Sequence, residues 1–250
     1  MATLLLERGA AVERAHEDGR SPLYAACWKN HIKIATLLLD RGADVDRASQ
    51  ETGITPLFEA CAEGHITVAT LCLDRGATVD LADRFRTTPL YIACQNGHTD
   101  TALLLLNRGA DVDSADADES TPLYIACQEG HVAAGRLCLD RGADVDSADV
   151  DGQTPLFAAS MNNHVDCVQL CLDRGADVNR RAQDGATPTL CLRAGSRRHG
   201  EMPSRARCRY QRGDGLRTDP VRRRPLRWTH DHGRLAGACW LDVLSLGTAI

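Results

Sequence analysis

One short phrase recurs along this chain at an almost constant interval. Ser-Pro or Thr-Pro stands at Pro22, Pro56, Pro89, Pro122, Pro155 and Pro188, and the successive separations are 34, 33, 33, 33 and 33 residues. Arg-Gly-Ala precedes each of them, with its glycine at Gly9, Gly42, Gly76, Gly109, Gly142 and Gly175. So regular a period argues against one closed globular core. It predicts a stack in which each unit buries its apolar face against its neighbours.

Residues 118–151 show the unit in full. Thr121 predicts an N-cap, because its hydroxyl accepts from a free backbone N–H of the first turn. Pro122 then occupies the first helical position, where a missing N–H costs nothing. The first helix runs to about Glu129, with Leu123, Ala126 and Cys127 on one face. It ends at Gly130, and the equivalent positions are Asn30, Gly64, Gly97 and Asn163. Gly and Asn are the residues that most readily adopt the left-handed conformation that closes a helix. A second helix carries Val132, Leu137 and Leu139 and stops at Gly142. An extended arm with a turn follows, to about Gly152.

The recurring T-P-L-(aromatic)-x-A-(small), G-H and L-x-L-D-R-G-A-D-V-D resemble the ankyrin repeat. The resemblance runs from residue 1 to about 188, with five full units. It implies an all-α helical repeat solenoid with β-hairpin arms: two antiparallel helices per unit, an arm projecting sideways, and a curved stack whose concave surface binds other proteins. The chain divides on this reading into a partial unit at 1–17 (second helix and arm only), a solenoid at 18–188, and an Arg-rich tail at 189–250.

Three departures stand out. The family usually has His after T-P-L, where this chain has Tyr24, Phe58, Tyr91, Tyr124 and Phe157. The glycine of the arm turn is present at Gly19, Gly53, Gly152 and Gly185 but replaced by Arg86 and Glu119, which predicts arms of different shape in the middle units. One extra residue lies between Asp46 and Thr55.

The net charge of -5 conceals a split. Residues 1–190 hold 16 basic and 29 acidic side chains, a net of -13, and residues 191–250 hold 13 arginines and 5 acids, a net of +8. Nucleic-acid affinity needs cations to neutralise phosphates, so the acidic repeats argue against nucleic acid as a partner except through residues 191–250. After Pro188 the periodic features vanish. The tail reads as a basic disordered extension, as a frame error hiding further repeats, or as a folded second domain. The genetic code bears on this: Trp228-Thr229 read one base forward forces glycine, the next shifted codon accommodates His, and Thr189-Leu190 in that frame accommodates the missing Leu, although Gly-His then falls one residue short of its expected place. At the other end, Thr3 to Gly9 aligns with Thr36 to Gly42, so the chain is expected to begin inside a second helix, either as a fragment of a longer array or with a frayed edge.

Eleven cysteines suggest disulfides or metal. Yet Cys27, Cys61, Cys94 and Cys127 share one slot with Ser160, and Cys72, Cys138 and Cys171 share another with Leu38 and Leu105. Interchange with Ser or Leu marks small buried packing positions. The expected compartment is reducing, cytoplasmic or nuclear. No apolar run reaches the ~18 residues of a membrane span.

The C-x3-H pairs, such as Cys61 with His65, repeat with the period and lack a convergent second pair, so no metal or other cofactor is expected. The imidazoles are assigned instead to loop backbone between units. The arm aspartates Asp44, Asp46, Asp111, Asp113, Asp144 and Asp146 lack the loop of a calcium hand and are expected to cap turns. With no phosphate loop, nucleophile elbow or zinc-protease motif, the chain is read as non-catalytic, with no small-molecule substrate.

Positions that vary between units fall at the arm tips and at the ends of the first helices. The tips include Glu51, Ile54, Arg84, Phe85, Asp118 and Asp151, and the helix ends are Trp28, Lys29, Glu63, Gln95, Asn96, Gln128, Glu129, Met161 and Asn162. The resemblance places them on the concave surface. Trp28, Ile54, Phe85 and Met161 are large apolar side chains at positions expected to be wet, and so are candidate anchors for another protein. The function expected is a monomeric, non-catalytic interaction scaffold. The alternatives are a targeting module of a longer protein, and nucleic-acid binding through the basic tail.

Overall fold

The same start signal opens every first helix. Ser21, Thr55, Thr88, Thr121 and Thr154 are extended, and each hydroxyl oxygen accepts the N–H three residues on, at 3.1–3.3 Å. A proline follows each cap. A computed structural model describes residues 11–16 and 19–188 and contains ten helices among them. The first helices of the five units are α1 (Pro22–Trp28), α3 (Pro56–Ala62), α5 (Pro89–Gln95), α7 (Pro122–Glu129) and α9 (Pro155–Met161). The second helices are α2 (Ile32–Asp40), α4 (Ile66–Asp74), α6 (Thr99–Asn107), α8 (Val132–Asp140) and α10 (Val165–Asp173).

Each first helix packs on its own second helix and on the first helices of its neighbours, and the second helices form a parallel row behind them. The result is a two-layer stack with one continuous core. Leu23, Leu57, Leu90, Leu123 and Leu156 are buried along the first row, beside Ala26, Ala60, Ala93, Ala126 and Ala159. Small residues there let the helices approach closely. Full burial of each leucine contributes about 1.5–3 kcal/mol.

The cysteines belong to this core. All eight described cysteines are free and buried. The thiol of one first helix meets the thiol of the next unit's second helix at Cys27–Cys72 (3.6 Å), Cys94–Cys138 (3.7 Å) and Cys127–Cys171 (3.7 Å). The hydrogen bond to the partner thiol and burial push Cys27 and Cys94 well above the usual thiol range, so they behave as packing groups rather than nucleophiles.

The left-handed helix ends predicted from Gly and Asn are present: φ is +54° at Asn30, +69° at Gly64, +72° at Gly97, +80° at Gly130 and +60° at Asn163. At Gly97 a second constraint appears. A Cβ there would lie 2.6 Å from Nδ1 of His131 in the next unit. Imidazoles therefore lie on the preceding loop, and two of them bond its carbonyls: His65 Nε2 to Trp28 O at 3.1 Å and His98 Nε2 to Ala62 O at 3.0 Å.

The arms are turns and extended segments, with no strand among the described residues. They are tied on two sides. Single main-chain bonds join successive tips, from Arg84 N to Thr52 O, Ala117 N to Phe85 O, Val150 N to Asp118 O and Gln183 N to Asp151 O, at 2.9–3.1 Å. At the far side, carboxylates of Asp46, Asp80, Asp113 and Asp146 each accept a backbone N–H of the next unit, from Thr78, Asp111, Asp144 and Asp177. Asp44, Asp111 and Asp144 cap their own turns, as expected of them. Arg75–Asp40, Arg108–Asp74 and Arg174–Asp140 ion pairs add links between second helices.

Two expectations about the arms need correction. Arg86 and Glu119 do not change the turn. They adopt φ of +62° and +61°, in the same left-handed region as the turn glycines at +75° to +82°. Their N–H groups bond Asp83 O and Asp116 O, as Gly152 N–H bonds Asp149 O. Asp83 and Asp116 also accept two N–H groups each with a side-chain oxygen. That over-determined network holds a side-chain-bearing residue in a conformation it disfavours. The extra residue before Thr55 is absorbed inside the turn, where Gly53 N–H reaches Ser49 O one residue farther than in the other arms.

The second correction concerns Ile54, which is not a surface anchor: it is 4% exposed and part of the core. Its carbonyl accepts Ser49 N–H across the turn, as Thr87 O accepts from Asp83 and Ser120 O from Asp116. In all three arms the side chain at this position is buried. The last tip residue thus packs inward, next to the N-cap. The expectations for residues 1–10 and 17 of the partial unit, and for the tail from 189 onward, lie outside the described residues.

Candidate functional site

The helices are short and their caps rigid, so residues at the ends of α1, α3, α5, α7 and α9 emerge at equivalent places in successive units. Arm tips do the same, because main-chain bonds tie each tip to the next. The variable residues therefore form two adjacent rows along the stack. On the tip row, Glu51, Arg84, Phe85, Asp118 and Asp151 are exposed. On the helix-end row, Lys29, Asn96, Glu129, Met161 and Asn162 are exposed, while Trp28, Glu63, Gln95 and Gln128 are half-buried.

Individual side chains differ in how freely they project. Phe85 is 39% exposed, and its N–H is held by the Asp83 carboxylate at 2.9 Å, so the ring sits on a fixed backbone. Val150 and Met161 are also exposed apolar side chains. Trp28 departs from the expectation of a wet position. It is half-buried against the core, with the Lys29 ammonium 3.5 Å from its ring centroid, a cation–π contact. Asn96 Nδ2 donates to Ala62 O (2.8 Å) and Asn162 Nδ2 to Ala158 O (2.9 Å); both amides thereby cover helix-end carbonyls.

One group escaped the reading of variable positions. Glu59 is 1% exposed, on α3, where the equivalent residues are Ala25, Ile92, Ile125 and Ala158. Its Oε2 accepts the Tyr24 hydroxyl at 2.8 Å. Burial pushes its carboxyl up to about 7, against the hydrogen bond from Tyr24, with Glu63 raising it and Arg20 and Lys29 lowering it.

The reason lies in the arms. Tyr91 and Tyr124 interact with the turn aspartates of the next unit, Asp116 and Asp149. The equivalent partner for Tyr24 is Ser49. Glu59 supplies the missing carboxylate from the helix instead. An acid standing in an apolar slot of an otherwise regular repeat was the available signal.

Nothing in these rows converges as a nucleophile–base pair does. Among the described residues no group of three His, Cys, Asp or Glu side chains is arranged to hold a metal ion, and no helix is long and apolar enough to cross a membrane. What the rows offer is area: exposed charges, amides and a few apolar side chains at regular intervals on a rigid frame.

Comparison with known proteins bears on this arrangement. A family model described as ankyrin repeats (3 copies) matches residues 1–49, 46–116 and 109–182. No curated protein matches the chain. Among solved structures, the human ASB11 ankyrin repeat domain is similar, with 31% sequence identity and a TM-score of 0.71 over 76% of this chain and 84% of that one.

Proposed function

Because the chain belongs to the ankyrin repeat family, whose members generally bind other proteins, we propose that it is a non-catalytic scaffold that binds a partner protein along the concave face of its stack. The observation that carries this reading is a division of labour within each unit. Residues that recur between units are consumed by caps, core and inter-unit bonds, whereas most of those that vary at the tips and helix ends are exposed. Packing does not dictate their identity, which leaves them available to recognition.

Phe85 and Met161 are the apolar anchors of the surface, and the amides and charges around them form its polar rim. Trp28 contributes through its exposed edge and through Lys29. The test is capture from the native cell extract by the full chain and by a Phe85→Ala, Met161→Ala variant of equal thermal stability. The scaffold reading expects a protein retained by the parent chain and lost by the variant. Identical retained proteins in identical amounts would overturn binding through these rows.

A further inference from the structure

The acidic side chains among the described residues are not equivalent. Those behind the arms are consumed by structure: Asp40, Asp74 and Asp140 pair with arginines, and Asp46, Asp80, Asp113 and Asp146 accept backbone N–H groups. Asp118, Glu119, Glu129 and Asp151 are different. They are exposed on the tips and helix ends of units four and five, and none forms an ion pair among the described residues.

No lysine or arginine occupies the tips or helix ends of those two units, where the remaining residues are Ala, Ser, Gly, Gln, Asn, Val150 and Met161. Val150 is 42% and Met161 38% exposed. One unit earlier the charge reverses, with Arg84 and Arg86 exposed beside Phe85. Units one to three thus mix signs at these positions, with Lys29, Arg84 and Arg86 against Glu51 and Glu63, whereas units four and five carry acids alone. Those four carboxylates have no counter-charge among the described residues and are interspersed with apolar side chains.

Resting on the scaffold reading above, we propose that units four and five take a basic segment of the partner, with arginines or lysines facing Asp118, Glu119, Glu129 and Asp151 and an apolar residue against Val150 and Met161. Charge complementarity selects this occupant: each carboxylate is exposed to water and has no cation to displace among the described residues. A segment with acidic residues in the same register meets four like charges and is rejected.

The test uses the full chain and three peptides of about twelve residues, long enough to extend over several units: alternating Arg and Leu, alternating Glu and Leu, and alternating Ser and Leu. Binding is followed by fluorescence anisotropy. The Arg peptide is expected to bind, and the other two are not. Asp118→Asn with Asp151→Asn is expected to weaken the Arg peptide about tenfold, or about 1.4 kcal/mol. Asp100→Asn with Asp166→Asn, which removes equal charge from the exposed starts of α6 and α10, is expected to change it less than twofold.

Equal losses in the two variants would mean attraction by net charge alone and would overturn the proposal. So would binding of the Glu peptide, or self-association of the chain that Asp118→Asn abolishes. Failure of the Arg peptide to bind overturns it as well, whether nothing basic fits or residues 191–250 of the chain itself hold the surface. The extract capture separates this proposal from its parent. A partner lost on Phe85→Ala but indifferent to Asp118→Asn, Asp151→Asn leaves the scaffold reading standing and sinks the basic segment.

Discussion

Glu59→Gln isolates the cost of a buried charge. In the fold, Glu59 titrates near 7 against an ordinary 4.5, because burial outweighs the hydrogen bond from Tyr24. Between these values the folded carboxyl keeps its proton while the unfolded one has lost it, so stability falls as pH rises through this window. The contribution is complete below 4.5 and gone above 7. Gln retains an oxygen for the Tyr24 hydroxyl and cannot ionise.

The advantage of Gln over Glu should therefore grow with pH, by ~2.5 kcal/mol between pH 5 and pH 8.5, since each pH step of one inside the window costs the Glu protein about 1.4 kcal/mol. At roughly 2–4 °C per kcal/mol for a domain of this size, that is ~5–10 °C in the melting midpoint. Circular dichroism melts of both proteins across the range measure it. Asp83, Asp116 and Asp149 are also raised by burial, but they are common to both proteins and cancel in the difference. Glu63, Arg20 and Lys29 are the other charges felt by Glu59, and they too are common to both proteins. A Gln advantage that is constant with pH, or that shrinks as pH rises, would refute the buried-charge argument.

Further expectations concern packing and strain. Ile54→Ala should cost about 2–5 kcal/mol in urea denaturation, as core truncations do, whereas Phe85→Ala should stay within about 0.5 kcal/mol. Gly97→Ala combines a left-handed φ with a Cβ 2.6 Å from the His131 imidazole and should cost well over the ~1–2 kcal/mol of left-handed strain alone. Gly109→Ala, with φ of +89° and no atom within 4 Å of the added Cβ, should cost only that strain. Conversely, Glu119→Gly should raise the melting midpoint, since it relieves a left-handed side-chain-bearing residue at a gain of about 0.5–1 kcal/mol; an unchanged or lower midpoint would show that the turn carries no such strain.

Much of this was legible in the residues. The proline period, the Ser/Thr caps, and the Gly or Asn at each helix end are local signals, because capping and left-handed backbone are settled within a few residues. The recurring Leu, Ala and Cys slots mark the buried face for the same reason. The candidate surface was legible only by subtraction, as what varied between units, and subtraction cannot tell a side chain that turns outward from one that turns in. Ile54 and the half-buried Trp28 differ from expectation in this way. Arg86 and Glu119 differ because a hydrogen-bond network, not the residue's own preference, sets their backbone.

From sequence alone came the unit, its helices, its caps and the order of the stack, since each depends on neighbours a few positions away or on strict repetition. Tertiary structure decided what lies between units: the imidazole on Gly97, the aspartates that bond the next arm, the inward turn of Ile54, and the exchange by which Glu59 replaces an arm carboxylate for Tyr24. These contacts join residues about one period apart, roughly 31 to 37 positions along the chain. Their geometry depends on how one rigid unit sits against the next, and no local preference encodes it.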